Sequence, residues 1–308
     1  MITASRVETR AAPVVPARNP GPSLGFRTMR LLDRALPERV YRPLRMAGTW
    51  VTLACMPGQR RHSRDYLRIV LDREPGWRDV FRHFDAFGET LMLKLRVTNG
   101  RDHSCRFAPG GGGFAQWMEE GFPVLLGTFH VGVSDLLGFL LGGKKKRLVH
   151  LVRLRVDNAH DTEALLRRFG DQVKIVWINE PADMLFALKE AAATPGAIGL
   201  QCDRAEFSSR VEYFDFLGAR RAFPFTIYHL ARVFQRPVVL TVGLRETEDT
   251  SVLHDSPVFW PEAGEPAERA QARAREHFQA FLTRLEGLLR ANPWVWFNYT
   301  ALPEGPGS

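Results

Sequence analysis

His130 and Asp135 stand five positions apart in Val124 to Leu141, VLLGTFHVGVSDLLGFLL. On one continuous helix, residues five apart point about 140° away from each other. The two side chains can therefore meet only if a helix begins between them. Gly132 allows the chain to turn there, and Ser134 is a candidate N-cap. The fully apolar Val124-Leu125-Leu126 run before them reads as a strand buried on both faces. The expected order is strand, His130 on the turn, Asp135 in the first helical turn. Such a pair supports hydroxyl activation: an imidazole takes the proton, and a carboxylate fixes its tautomer and stabilises the imidazolium. The plain alternative is a histidine that ends a strand and an aspartate that caps a helix.

Other candidates fall where strands are expected to end. Leu148 to Arg155, LVHLVRLR, reads as a second strand closing on Arg153 and Arg155, which share one face. Ala197 to Leu200 reads as a fourth strand closing on Gln201-Cys202-Asp203-Arg204. Ligands bind at the carboxyl ends of strands in open α/β sheets. These residues thus suit a substrate site, or else ordinary surface charges and ion pairs. Strand and helix patterns alternate with short turns, as in βαβ units.

HVGVSD resembles the H-x4-D signature of the lysophospholipid acyltransferase superfamily. Gln201-Cys202-Asp203-Arg204, Phe216-Leu217-Gly218-Ala219-Arg220, Ala222-Phe223-Pro224 and Leu230-Ala231-Arg232 to Pro237-Val238-Val239 resemble, in that order, blocks of the bacterial branch with the lipid A lauroyl and myristoyl transferases. The likeness covers roughly residues 80 to 300. It implies an α/β fold with a mixed, mostly parallel sheet flanked by helices. It also implies transfer of a fatty acyl group from an acyl thioester, on acyl carrier protein or coenzyme A, to a hydroxyl (less readily an amine) of a lipid-like acceptor, with no bound cofactor. His130 would be the general base and Asp135 its orienting acid. Arg153, Arg155, Asp203, Arg204, Gly218, Phe223 and Pro224 would meet substrate, with an arginine holding an oxyanion or a phosphate. The rivals are a hydrolase working on a lipid or thioester with the same pair, and a non-catalytic protein binding lipid at a membrane surface. No G-x-S-x-G elbow is present.

The branch usually carries an N-terminal membrane helix, and here the chain departs from it. No stretch reaches about 18 apolar residues; Met46 to Met56 is too short. Residues 1 to 107 hold 20 Lys/Arg against 10 Asp/Glu, whereas the chain as a whole is only +8. A basic front on a near-neutral body suits an anionic membrane surface or an acidic carrier protein. No nucleic-acid-binding motif accompanies it. Three cysteines form no metal spacing and no even framework, which suits a reducing compartment. With no signal peptide visible, the expected location is the cytoplasm, at the inner face of the cell membrane.

The expected organisation is a disordered lead (1–25), a helical basic region (26–107) and an α/β core (108–308). Phe26 to Leu36 has the pattern of a basic amphipathic helix. Residues 76–97 read as a helix with Trp77, Phe81, Phe84, Phe87, Leu91, Leu93 and Leu95 inward and His83 structural. Helices are expected at 61–70, 181–193, 226–234 and 265–290, and strands at 173–178, 211–217, 237–242 and 253–259. Residues 218–221 read as a turn. The terminal Trp294-Val295-Trp296 reads as core packing.

Overall fold

The computed structural model describes residues 28, 31–33, 38–134, 147–153, 166, 172–177, 181–205, 208, 210–302 and 305, the side chains of 38, 98 and 181–185 excepted. Asp135 and Arg155 lie outside these residues, as do the 1–25 lead and most of the 26–36 segment.

Among the described residues, positions 28 and 31–33 are helical, and three helices of defined extent follow: α1 (Glu38–Cys55), α2 (Pro57–Leu71) and α3 (Trp77–Thr98). Asp79 opens α3 by accepting a hydrogen bond from the Gly76 amide at 2.9 Å, closing an otherwise unsatisfied helix end. Arg45 on α1, its side chain 6% exposed, pairs with Asp85 and Glu89 of α3 and pins the two helices together. The inward face of α3 carries Val80, Phe81 and Phe84, while Trp77 and Phe87 are 57% and 43% exposed. The expected inward set therefore omitted Val80 and included two outward rings.

Nine strands and four more helices follow in the order β1 (Ser104–Phe107), α4 (Gly113–Glu120), β2 (Val124–Gly132), β3 (Val149–Arg153), β4 (Val173–Trp177), α5 (Pro181–Ala193), β5 (Ala197–Gln201), β6 (Val211–Phe216), β7 (Ala219–Pro224), α6 (Thr226–Phe234), β8 (Val238–Arg245), β9 (Thr250–Asp255) and α7 (Ala267–Ala291). Seven strands form one sheet, ordered β1-β9-β8-β2-β5-β3-β4. Strands β8, β2, β5, β3 and β4 run parallel; β9 returns antiparallel to β8, and β1 lies parallel to β9. The architecture is the expected α/β fold with a mixed, mostly parallel sheet flanked by helices.

Strand β2 is central, and both its faces are covered. Val124 and Leu126 face Phe114 and Trp117 of α4. Leu125 and Phe129 face the larger core, which holds Tyr66, Phe81, Phe278 and Leu282. This two-residue alternation is the strand period, and double-sided burial explains the unbroken apolar run.

Strand β1 precedes position 108 yet forms an edge of the main sheet, and α2 and α3 pack into the same core as α6 and α7, so pairing and packing run across 107/108. One expectation about organisation is corrected: residues 219–221, read as part of a turn at 218–221, begin the strand 219–224. They pair with β6 in a separate hairpin whose two-residue turn is Leu217-Gly218, both at positive φ (52° and 76°). Two positive φ values match the right-handed twist of the flanking strands, and the glycine supplies one without steric cost.

Candidate active site

His130 belongs to the last residues of β2, not to the turn after it. The turn comes at Gly132, with φ of 51°, where a Cβ would lie 2.3 Å from the Gly243 carbonyl oxygen. Helical conformation begins at Ser134. The Ser134 hydroxyl donates to the Val131 carbonyl at 2.6 Å and accepts from the Gly243 amide at 3.1 Å, stitching this turn to β8.

The partner of His130 comes from the neighbouring strand. Parallel β2 and β5 pair with Thr128 level with Gln201, and the Cys202 amide extends the ladder to the Thr128 carbonyl at 2.8 Å. Two residues beyond that register, His130 and Asp203 stand side by side. Asp203 Oδ1 lies 2.7 Å from His130 Nδ1, and Oδ2 accepts from the His130 amide at 2.8 Å. A carboxylate can only accept, so Nδ1 carries the proton and Nε2 the lone pair. Among the described residues nothing bonds Nε2, and the imidazole is 16% exposed. The carboxylate on Nδ1 is thus that of Asp203, which sequence reading had assigned to substrate. Asp135, the acid expected to orient His130, lies outside the described residues.

The Asp203 side chain is fully buried. Burial alone would push its carboxyl up. Attraction to His130 and hydrogen bonds from the His130 ring, the Trp296 indole and the His130 amide outweigh it and hold the group below the usual carboxylate range. Trp296 Nε1 donates to Oδ2 at 3.0 Å from a side chain that is itself buried.

Trp296 reaches this position because the C-terminal residues run antiparallel along the end of β2. The Gly132 amide donates to the Val295 carbonyl and the Phe297 amide to the His130 carbonyl, each at 2.7 Å. Asn298 Nδ2 donates to the Asp203 carbonyl at 3.0 Å, and Arg204 Nε donates to Asn298 Oδ1 at 3.3 Å. Behind the tail, His83 Nε2 donates to the Trp296 carbonyl and Ser63 donates to His83 Nδ1, both at 2.8 Å. Burial outweighs the carbonyl contact and lowers His83 to about 4, so it is a neutral structural imidazole, as its sequence context suggested.

The remaining candidates divide. Arg153 ends β3 and lines a small cleft of about 40 Å³ with Leu126, Thr128, Leu151 and Gln201, on the sheet beside His130. Arg204 is tied to the tail through Asn298. Phe223 and Pro224 are buried in the hairpin, where Phe223 packs against Phe214, Phe216 and Phe278, and Gly218 is the hairpin turn. These three have structural work in the hairpin rather than a place beside His130. Trp296 and Asn298 were missed. The available signal was chemical: a buried indole N–H needs an acceptor, and the tail had been read as packing alone.

No family model matches this sequence, and no curated protein does. Among solved structures, the 1-acyl-sn-glycerophosphate (LPA) acyltransferase PlsC from Thermotoga maritima is similar at 12% identity and a TM-score of 0.40, over 82% of this chain and 98% of that one.

Proposed function

We propose that this protein is an acyltransferase that moves a fatty acyl group from an acyl thioester, on acyl carrier protein or coenzyme A, to a hydroxyl of a lipid-like acceptor. The observation that carries the proposal is the His130–Asp203 pair at the carboxyl end of the central strand. Its Nδ1 proton is held by a buried carboxylate, and its Nε2, which nothing bonds among the described residues, would take a hydroxyl proton. The likeness of HVGVSD to the H-x4-D signature supports the same reading. In this mechanism Nε2 takes the acceptor's proton, and the oxygen attacks the thioester carbonyl. The oxyanion then collapses with release of the thiolate, which recovers the proton from His130. Asp203 is a positioning residue: both its oxygens are engaged by His130 and Trp296, and it stabilises the imidazolium. Arg153, which lines the neighbouring cleft, is the residue proposed to meet an anionic part of either substrate.

The acceptor is taken to be presented at an anionic membrane surface. Val40, Leu44 and Val51 lie along one face of α1 and are 47%, 47% and 63% exposed. Arg39 and Arg42, both exposed, interleave with them. No described helix is long and apolar enough to cross a membrane, so the attachment would be peripheral.

The test is transfer from an acyl thioester, followed by thiol release with and without a lysophospholipid acceptor. His130→Ala is expected to lower turnover by ~10²–10⁴-fold in protein that melting shows to be folded, with some loss of stability because buried Asp203 loses its ring donor. Near wild-type transfer by a folded His130→Ala protein would remove the proposal. Thiol release that ignores acceptor would favour a hydrolase.

A further inference from the structure

Helix α6 and the first turns of α7 do not close on each other. Helix α7 presents Ala270 and Ala274 toward α6, and these small side chains leave a cavity of about 350 Å³. Phe225, Tyr228 and Phe259 form its aromatic bed. The rings are mutually packed, Tyr228 lying 4.8 Å from Phe225 and 5.2 Å from Phe259. The cavity shares no lining residue with the cleft beside His130, and neither His130 nor Asp203 lines it.

Its charges are unevenly satisfied. Three carboxylates line it, each near arginines of α7: Glu212 by Arg275 and Glu262 by Arg273, whereas buried Glu265 lies 3.5 Å from Arg269 and 3.4 Å from Arg273 with no hydrogen bond to either oxygen among the described residues. Arg210, His229 and Arg232 also line it, and none of them shows an ion pair among the described residues. The two arginines lie close enough to His229 that their charge, after burial, helps keep its imidazole neutral. The start of α7 adds the positive end of a helix dipole. The lining holds two arginines against three glutamates, and with Arg269, Arg273 and Arg275 beside those glutamates the surroundings come to five arginines against three, so the cavity combines an apolar bed with positive charge at its edge. Its volume lies at the low end of small-molecule pockets, about 300–1,000 Å³, which suits one alkyl chain better than a two-chain lipid.

We infer that this cavity is a second binding site, separate from the His130 centre, for a single-chain amphiphile with an anionic head of the fatty carboxylate class. The chain would lie on Phe225, Tyr228 and Phe259 between the helices, and the head would be held by Arg210, Arg232 and the neutral His229.

Equilibrium dialysis of the full chain against radiolabelled decanoate tests this, with decylamine as the cationic counterpart of the same length. Decanoate is expected to bind and decylamine not. Arg232→Glu, at an exposed position and with the melting temperature reporting its folding, is expected to weaken decanoate at least tenfold. Ala270→Trp, which fills the cavity, should abolish binding, with the melting temperature reporting its folding. His130→Ala should bind decanoate as the wild type does. Absence of decanoate binding would overturn the inference. So would equal binding of decylamine, or binding unchanged by Arg232→Glu. Loss of binding in His130→Ala alone would place the ligand in the catalytic site instead.

Discussion

Replacing Trp296 by phenylalanine keeps an aromatic ring in place and removes one hydrogen bond, that from the indole N–H to Asp203 Oδ2 at 3.0 Å. Hydrogen bonds to charged groups contribute about 1.5–3 kcal/mol. The carboxylate keeps its two contacts to His130, and among the described residues no other donor to Oδ2 but the His130 amide. Its charge then falls more heavily on the Nδ1 proton, and the protonated imidazole becomes harder to discharge. The bond stabilises the carboxylate beside neutral and protonated imidazole alike, so only the difference reaches the reaction, and the acid limb of the kcat/KM profile is expected to move upward by a fraction of the about 1–2 units that the whole bond would give at 1.36 kcal/mol per pH unit. The assay is thiol release from an acyl thioester across pH 5 to 9. Phe216→Leu is the control: Phe216 packs edge-on against Trp296 at 5.5 Å, so this change disturbs the packing and spares the hydrogen bond. It should lower the melting temperature and leave the limb where it was. If Trp296→Phe lowers the rate equally at all pH values, or matches Phe216→Leu, Trp296 is a packing residue and the reasoning fails.

Three further outcomes are expected. His83, lowered to about 4 by burial, binds a proton in the unfolded chain near pH 6.5 but not in the folded one. The stability of the neutral form is thus fully present above pH 6.5 and drains away as pH falls toward 4, by about 3 kcal/mol at 1.36 kcal/mol per unit. Urea unfolding at pH 7 and pH 4.5 should show that this slope is smaller in His83→Gln, and identical slopes would contradict the assignment. Gly132→Ala forces a Cβ onto the Gly243 carbonyl at positive φ and should cost ~1–3 kcal/mol together with activity. Gly218→Asn, at a turn with open space, should be tolerated in both respects. Co-sedimentation with anionic vesicles should be reversible and weakened by salt, each arginine near the bilayer contributing ~1 kcal/mol; equal binding to neutral vesicles would exclude a role for the arginines.

The strands and helices were legible because their signals are local. The run Val124-Leu125-Leu126, the Pro181 start and the Thr226–Phe234 helix all carry their own boundaries. Residues 219–221 were misread because Arg220 and Arg221 resemble a charged turn; what makes them a strand is cross-strand pairing with β6, a partner that local pattern does not name. Strand β1 was missed for the same reason. Four residues, Ser104–Phe107, have no periodicity of their own, and their ladder is supplied by β9.

The site was half legible. His130 could be found from the strand before it and the glycine after it, and Asp203 from its place at a strand end. Their relation could not be found, because a separation of 73 residues becomes 2.7 Å only through the register of β2 against β5. That register is set by the apolar residues of both strands, so the core and not the site decides which carboxylate meets the histidine. A one-residue slip would turn Asp203 to the other face and leave a buried charge without its donors, at a cost of several kcal/mol. The tail then follows from polar demand. Asp203 is buried and needs donors; the Trp296 indole is buried and needs an acceptor. Pairing the two satisfies both at once, which is why residues at the far end of the chain close over a histidine near its middle.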